Sequence, residues 1–304
     1  MAEFSVNIED YLFELSKDLQ TETYKHSKYV EFYICDPKRR HIHKASVIDR
    51  FLHHAIFRII EPIYDKKFIF DSYSSRHSKG IHKAHKRFHS FAWKLSQNNT
   101  RTVWVLKCNI KKFFDSVDHD ILIQILIKTI YDDKVISLLQ NIIKSFETKS
   151  KKGIPLGNLT SQLFSNVYLD VFDQYIKREL RIKHYIRYAD DFVFLDPDKD
   201  NLSKLLPIIT EFLEKRLSLS MHPNKVYIRK FSQGIDFLGY VIFPHHSVLR
   251  TKTKRRILKK IRILKYSLDK NLISKEFFEQ VMASYHGLLK HCMGKGLKKK
   301  ILLL

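Results

Sequence analysis

Cysteine, glycine and proline are all scarce in this chain, and each scarcity excludes a class of protein. The three cysteines, Cys35, Cys108 and Cys292, stand far apart, so neither a disulfide-rich secreted fold nor a CxxC zinc module fits. Only 8 glycines and 7 prolines interrupt 304 residues, which predicts long regular elements without flexible linkers. The cysteines are therefore expected to be reduced thiols, as in a cytosol.

The sequence also lacks long apolar runs and has few acidic residues relative to basic ones. No run of the sequence approaches the roughly 20 apolar residues of a membrane-spanning helix. The N-terminal stretch MAEFSVNIEDYLFEL is acidic, so we expect no signal peptide there. The chain has 32 acidic residues against 55 basic ones, a formal net charge of +23. This excess predicts a polyanionic partner, and it favours nucleic acid over an anionic membrane.

The hydrophobic pattern changes between helical and strand spacing along the chain. Residues 47–60 have helical spacing, which predicts an inward face of Val47, Phe51, Ala55 and Ile59. Further helices are expected at 78–95, over 164–175 with Thr160 or Ser161 as the cap, at 204–217 and at 251–268. Strands are expected at 102–110, 184–195 (a tight pair), 225–228 and 237–243. This order predicts an α+β fold with helical appendages.

One stretch, HYIRYADDFVFL at 184–195, sets Asp190 beside Asp191 between two apolar runs. Burying adjacent carboxylates is costly unless a cation pairs with them. Nucleotidyl transfer uses two divalent ions about 4 Å apart, and Mg²⁺ prefers carboxylate oxygens as its protein ligands. The stretch therefore predicts one wall of a two-metal site. The plain alternative is a surface turn with two solvated acids, and the apolar flanks argue against it.

At these residues the chain resembles reverse transcriptases, and the resemblance covers nearly all of it. The similar segments are DSYSSRHSKGIHKA (71–84, fingers), LKCNIKKFFDSVDH (106–119, palm strand), GIPLGNLTSQ (153–162, under the templating base), LSLSMHPNKV (217–226, lysine-bearing) and FLGY (237–240, primer grip). The resemblance implies the right-hand polymerase fold, with fingers, a palm of antiparallel sheet plus helices, and a helical thumb. The implied boundaries are 1–102 and 118–158 for the fingers, 103–117 and 159–242 for the palm, and 243–304 for the thumb.

The segment LGNLTSQ at 156–162 is similar to the form found in reverse transcriptases of diversity-generating retroelements. Most reverse transcriptases have a glutamine before the glycine and end in Ser-Pro, whereas this chain has Leu156-Gly157 and Ser161-Gln162. The resemblance implies a bacterial or phage-encoded cytoplasmic enzyme that copies template RNA into cDNA with errors opposite adenine. It also implies a small basic accessory protein that forms a pentamer.

The resemblance assigns roles to individual residues. Asp190 and Asp191 would hold two Mg²⁺ ions, which Mn²⁺ can replace, together with Asn109 and the backbone carbonyl of Ile110. Contacts with the incoming dNTP would come from Arg76, Lys79, Phe114, Leu156, Gly157, Gln162 and Lys225. Contacts with the primer, the template RNA and the RNA–DNA duplex would come from Phe237, Leu238, Gly239, Tyr240, Lys252, Lys254, Arg255, Arg256 and Lys259.

For several of these residues the implied role has a physical reason, and an ordinary structural role is the alternative. An aromatic ring at Phe114 would clash with a ribose 2′-hydroxyl, although it could equally be a core aromatic. Leu156 offers no hydrogen bond where relatives place an amide, and apolar contact discriminates less than polar contact, so lower fidelity follows. Lys225 matches a proposed proton donor to pyrophosphate, or it is a solvated lysine. Arg76 and Lys79 would grip phosphate, or they belong to a generic basic loop.

One position departs from the family pattern. The first catalytic aspartate aligns with Asn109, whose amide offers a neutral oxygen in place of a charged carboxylate. Three explanations are open: an engineered change that traps an inactive complex, a natural residue in a weak or inert enzyme, or a site that tolerates an amide with altered metal preference. Deamidation is a fourth. Because the other motifs are intact, we favour the first or the third.

The sequence thus predicts an RNA-directed DNA polymerase, with two alternatives. One is a catalytically silent nucleic-acid-binding scaffold on the same fold, and the other is an antiphage defence reverse transcriptase. The histidines His82, His85 and His89 share a helical face, but without a cysteine partner and among basic neighbours they predict a structural role better than a metal site.

Overall fold

The computed structural model describes residues 7–35 and 38–302, and it divides into two compact units. Unit 1 comprises Met1–Ser78, Cys108–Lys183 and Leu206–Val226. Unit 2 comprises Lys79–Lys107, His184–Leu205 and Tyr227–Leu304. No helix among the described residues is long and apolar enough to cross a membrane. The fingers, palm and thumb boundaries stay a prediction.

The elements follow one another in a mixed order of helices and strands. They are α1 (Ile8–Gln20), β1 (Val30–Ile34), β2 (Arg40–Lys44), α2 (Val47–Asp65), α3 (Ile81–Leu95), β3 (Trp104–Asn109), α4 (Phe113–Ser116), α5 (His119–Ile127), α6 (Asp133–Lys144), α7 (Leu159–Gln174), a π-helical turn (Tyr175–Glu179), β4 (Tyr185–Tyr188), β5 (Asp191–Asp196), α8 (Lys199–Leu217), β6 (Tyr227–Lys230), a 3₁₀ turn (Phe231–Gln233), β7 (Ile235–Phe237), β8 (Tyr240–Ile242), β9 (Ser247–Leu249), α9 (Thr251–Asp269), α10 (Lys275–Leu289) and α11 (Lys295–Leu302).

Unit 1 is built around the buried helix α7, which packs against α2 and α5. Most of its residues are buried, the polar Ser165, Asn166 and Asp173 among them, and Phe164, Tyr168 and Phe172 are almost completely buried. The hydroxyl of Tyr168 donates a 2.6 Å hydrogen bond to the carbonyl of Leu217. The antiparallel hairpin of β1 and β2 also belongs to unit 1.

Two details of unit 1 correct the sequence-based expectations. The inward face of α2 is formed by Leu52, Ile56, Ile60 and Tyr64, whereas Phe51 and Ile59 are exposed. The helix has two apolar faces with the same spacing, so periodicity alone could not choose between them.

The helix α7 begins after Asn158, and not with Thr160 or Ser161 as the cap. The Asn158 side chain makes no capping hydrogen bond because it is engaged by the hairpin, where its amide nitrogen donates to the carbonyl of His43 at 2.9 Å. Thr160 and Ser161 lie buried in the first turn.

Unit 2 contains a four-stranded sheet in the order β4–β5–β3–β6 and a three-stranded sheet in the order β7–β8–β9. The helix α3 packs against β4 and β5, and its Phe88 lies next to Phe231 and Phe237. The basic helix α9 packs against α10 and α11. Its Ile257 and Ile261 are buried, as expected from their spacing.

The strand expected at 237–243 is instead a hairpin. The strand β7 ends at Phe237, β8 begins at Tyr240, and the two pair antiparallel across Leu238 and Gly239. Both turn residues have positive φ, 50° and 91°. A left-handed pair of this kind suits the two-residue hairpin turn, because its twist matches that of the strands.

Candidate active site

The hairpin of β4 and β5 in unit 2 displays the two adjacent aspartates. Tyr188 and Asp191 pair across the strands, so Ala189 and Asp190 form a two-residue turn. Ala189 has a φ of 51°, a left-handed conformation that costs a non-glycine residue about 1–2 kcal/mol. Strain of this kind gathers at functional sites. The tight connection expected at the aspartates is present.

A buried lysine, Lys107 on β3, forms an ion pair with Asp191. The two side chains are only 8% and 18% exposed. Burial raises the pKa of the Asp191 carboxyl, the ammonium of Lys107 opposes that shift, and Asp190 adds to it. The Lys107 ammonium also lies 5.5 Å from the ring centre of Phe237. Lys107 was not predicted from the sequence. The one indication of a special role was a single charged residue inside the strand-forming run VLKCN.

A second buried cation supports the turn itself. Arg187 on β4 is fully buried, and its guanidinium donates to the carbonyl of Ala189 at 3.4 Å. Because a buried arginine is expensive unless its donors are used, we read Arg187 as part of the scaffold that holds the turn. Sequence reasoning missed this residue as well.

In unit 1, the residue at the position of the first catalytic aspartate lies beside the lysine-bearing segment. The side-chain oxygen of Asn109 accepts a 2.9 Å hydrogen bond from the ammonium of Lys225. The backbone carbonyl of Asn109 accepts one of 2.8 Å from His222 N–H. Ile110 forms an isolated bridge with Met221 and is almost completely buried. The structure therefore brings Asn109 and Lys225 together, although their roles stay predictions.

The residues expected around the incoming nucleotide include a loop fastened to the β1–β2 hairpin. Leu156 is half-buried, and its carbonyl accepts a 3.1 Å hydrogen bond from His43 N–H. Gly157 has a φ of 117°, and a Cβ there would approach the Cγ2 of Ile42 to 2.9 Å. Only glycine fits this position without strain.

Two further residues of this group lie nearby in the chain. Phe114 is half-buried, and its carbonyl accepts a 2.9 Å hydrogen bond from Ile154 N–H. Gln162 is exposed in the first turn of α7. This backbone hydrogen bond joins α4 to the segment that precedes Leu156.

Arg76 is held by several oxygens of its own unit. Its guanidinium pairs with the carboxylate of Asp65 at 2.5 Å and donates to the carbonyls of Ile69 and Ser72 at 2.7 and 3.1 Å. The side chain is 6% exposed. Triphosphate binding by Arg76 stays a prediction, and it would require these bonds to open. Lys79 precedes α3 at the start of unit 2, and its phosphate contact also stays a prediction.

The segment FLGY has two buried ends and an accessible turn. Phe237 and Tyr240 are 0% and 2% exposed, while Leu238 and Gly239 form the turn. Arg250 forms an ion pair with Asp236 beside it. Along the helix α9, the basic residues Lys252, Arg255, Arg256 and Lys259 are exposed and Lys254 is half-buried. This is a row of cations of the kind that follows phosphates.

The two aspartates at the turn have the chemistry expected of Mg²⁺ ligands. Asp190 and Asp191 supply carboxylate oxygens, the donors that Mg²⁺ prefers, and they lie at the end of a rigid hairpin. This donor set fits a divalent ion. Asn109, which the resemblance assigns as a further ligand, belongs to unit 1, and its side-chain oxygen accepts a hydrogen bond from Lys225.

Comparison with known proteins gives a family and a fold. Residues 26–242 match the family described as reverse transcriptase (RNA-dependent DNA polymerase). Protein YkfC of Escherichia coli (strain K12) is 26% identical over 250 residues, covering 69% of this chain and 65% of that protein. The group II intron-encoded protein LtrA of Lactococcus lactis subsp. cremoris is 24% identical over 324 residues, covering 82% of this chain and 53% of that protein. The chain thus spans less than two thirds of either relative.

Solved structures give the same answer at the level of the fold. Apo telomerase from Candida tropicalis, truncated from its C-terminal domain, aligns with a TM-score of 0.55 at 13% identity, over 78% of this chain and 59% of that one. The same telomerase with a fragment of telomeric RNA gives 0.54 at 13%, over 92% and 58%. The predicted right-hand polymerase fold is confirmed. Because the family match covers more than half of the sequence, the chain belongs to the reverse transcriptase family.

Proposed function

We propose that this chain is an RNA-directed DNA polymerase that extends a DNA primer on an RNA template with dNTPs. The observation that carries the proposal is the β4–β5 turn, in which a left-handed Ala189 presents Asp190 and Asp191 side by side. Such strain persists only where the surrounding structure enforces it. The family match and the charge of +23 support the same function.

Asp190 and Asp191 are the proposed ligands of Mg²⁺, which supplies activation of the attacking hydroxyl and stabilisation of the leaving pyrophosphate when bound. Asn109 and the carbonyl of Ile110 keep their sequence-based assignment as further ligands. The chain's own contribution is to hold the two carboxylates rigidly. Arg187 fixes the turn from inside, and Lys107 compensates the buried charge of Asp191.

The polymer would be held by positive charge and by the primer-grip turn. The exposed cations of α9 would follow the phosphates of the RNA–DNA duplex, so the affinity should fall steeply with salt. The turn at Leu238 and Gly239 would let a ligand approach the backbone closely. Gly239 has no side chain, and a Cβ placed there would meet open space. We place the 3′ end of the primer there.

We further propose that the enzyme copies its template with errors, as part of sequence diversification in a bacterial or phage cytoplasm. The specific observation is Leu156, an apolar side chain in the loop that the resemblance places against the new base pair. A site without polar readout discriminates weakly between bases. A small basic pentameric accessory protein is the proposed partner in that role.

The deciding experiment is primer extension on an RNA template, with Mg²⁺ and with Mn²⁺. We expect template-dependent DNA synthesis that is lost in Asp190→Ala, while the matched surface variant Asp200→Ala keeps it. Synthesis that persists in Asp190→Ala would remove the proposed site. If this chain, Asn109→Asp and the chain with an accessory protein all bind RNA without extending a primer, the silent scaffold is the better description.

The diversification role has its own measurement. Sequencing of the cDNA should show more errors opposite template adenine than opposite the other three bases, and Leu156→Gln should reduce them. Equal error rates at all four bases would overturn the diversification role and leave the polymerase intact. Untemplated or single-stranded DNA products would favour an antiphage defence enzyme instead.

A further inference from the structure

Outside the proposed active site, the β1–β2 hairpin of unit 1 gathers two histidines and one glutamate. One ligand atom from each of Glu31, His41 and His43 lies within 4.8 Å of the other two. Within residues 7–35 and 38–302, no other three His, Cys, Asp or Glu side chains come together in this way. The helical histidines His82, His85 and His89 are not such a group.

The hairpin register explains why these side chains meet. Glu31 pairs directly with His43, and Tyr33 pairs with His41. Because alternate residues of a strand share a face, Glu31, His41 and His43 all project from the same side of the hairpin. The ring of His41 stacks on Tyr33 at 4.5 Å, and the ring of His43 lies edge-on to Phe146 at 4.5 Å. The aromatic contacts therefore set both ring orientations.

Both histidines turn the same nitrogen toward the two oxygens of one carboxylate. Nε2 of His41 lies 3.0 Å from Oε2 of Glu31, and Nε2 of His43 lies 3.8 Å from Oε1. The second distance is too long for an ordinary hydrogen bond. Nδ1 of His43 is buried without a hydrogen-bond partner among the described residues. The nitrogen of His43 that faces Glu31, Nε2, is therefore not hydrogen-bonded to that carboxylate.

The donor set selects a class of metal ion. Tetrahedral ligands around Zn²⁺ stand about 3.3 Å from one another. The 3.0 Å between Nε2 of His41 and Oε2 of Glu31 is close to that value, and one ligand atom from each of the three side chains lies within 4.8 Å of the other two. Two imidazoles and a carboxylate are an established Zn²⁺ ligand set that leaves the fourth position to water. Mg²⁺ prefers oxygen ligands in octahedral geometry, so it would remain with the aspartates.

We propose that Glu31, His41 and His43 bind one Zn²⁺-type ion, which fastens β1 to β2. The ion would also steady the nucleotide-side loop, because His43 N–H donates to the carbonyl of Leu156 and its carbonyl accepts from Asn158. The proposal does not depend on whether the chain extends a primer. The ion would be a structural metal of the hairpin.

The test measures metal binding directly. Purified protein carrying Cys35→Ser, which removes an exposed thiol near the hairpin, is dialysed against Zn²⁺ in excess Mg²⁺. We expect about one Zn²⁺ per chain and, with Co²⁺ as the probe, the visible absorption of a tetrahedral ion. His41→Ala and Glu31→Gln should each weaken binding about tenfold or more. Hydrogen exchange at 30–34, 40–44 and 154–158 should slow when Zn²⁺ is added.

Matched controls separate this site from others. His54→Ala changes an exposed histidine of unit 1, and Asp190→Ala changes the proposed catalytic turn; neither should alter Zn²⁺ stoichiometry. Glu31 and His41 are 59% and 37% exposed, so their variants should fold even if His43→Ala does not. Failure to retain Zn²⁺ in excess Mg²⁺, or retention unaffected by His41→Ala and Glu31→Gln, would overturn the proposal.

Discussion

The ammonium of Lys225 donates a 2.9 Å hydrogen bond to the side-chain oxygen of Asn109. An amide offers this ammonium only a dipole, whereas a carboxylate at the same position would offer a full opposite charge. Hydrogen bonds between charged partners are roughly twice as strong as neutral ones. A carboxylate at this position would therefore bind the Lys225 ammonium more strongly than the amide does. The backbone carbonyl of Asn109 is held by a 2.8 Å hydrogen bond from His222 N–H.

Asn109→Asp should raise the rate of primer extension. Metal polarisation contributes several kcal/mol to nucleotidyl transfer, and each ~1.4 kcal/mol changes the rate tenfold. The added charge should therefore raise kcat by about a hundredfold or more, measured in single-turnover extension with Mg²⁺. Asn201→Asp, on the exposed surface of α8, adds the same charge and should leave the rate unchanged. An equal rate for Asn109→Asp and the parent chain would show that the amide suffices.

Lys107→Met should destabilise unit 2, because it leaves the Asp191 charge buried and unpaired. Breaking a buried ion pair from one side costs about 3–5 kcal/mol, whereas replacing both partners by apolar residues is often neutral. We expect Lys107→Met/Asp191→Leu to recover most of the lost stability in urea unfolding with EDTA. Lys215→Met breaks an exposed pair with Glu211 and serves as the control. If the double variant is no more stable than Lys107→Met, Lys107 does not compensate the buried charge of Asp191.

The parts of the site that sequence could predict are those carried by short contiguous motifs. The tight turn at Asp190 follows from two strand-forming runs with no room for a longer loop. The pairing of Asn109 with Lys225 was not predicted, because it depends on how two distant segments align. The alignment is set by backbone bonds such as Lys111 N–H to the carbonyl of Ser220, 2.9 Å.

The parts that sequence missed are side chains whose partners lie far along the chain. Lys107 reads as one charge in a strand, and only the sheet order that places β3 beside β5 reveals its partner. Thr160 or Ser161 was predicted to cap α7, yet the helix begins after Asn158, whose side chain donates to the carbonyl of His43 in the hairpin. The prediction of the buried face of α2 was wrong because the helix has two apolar faces with equal spacing, and tertiary packing decides between them.

Gly157→Ala should strain the loop that follows Leu156. The φ of 117° disfavours any residue with a Cβ, and that atom would lie 2.9 Å from the Cγ2 of Ile42. A loss of about 1–3 kcal/mol is expected, measured as a lower melting temperature, with a raised KM for dNTP if the loop contacts the nucleotide. Gly296→Ala is the control, because its Cβ meets open space inside helix α11. Equal melting temperatures for Gly157→Ala and the parent would show that a Cβ at this position does not strain the loop.

His53→Gln should make the stability of the protein less sensitive to acid. His53 is 1% exposed with neither ring nitrogen bonded among the described residues, and burial, followed by the nearby His26, lowers its pKa to about 4. Between that value and the unfolded pKa of about 6.5 only the unfolded chain binds the proton, so stability falls as pH falls through this range.

The size of the effect follows from the same two pKa values. From about pH 7 to about pH 5, His53 should account for a loss of about 1–2 kcal/mol, which His53→Gln would remove from the pH dependence of urea unfolding. His54→Gln, at the exposed neighbouring position, should keep the parent slope. Asp49 does not contribute in this window, because hydrogen bonds from Ser46 and Tyr24 outweigh the effect of burial and hold its pKa below the usual range. A His53→Gln slope equal to that of His54→Gln would mean that His53 is protonated in the folded protein.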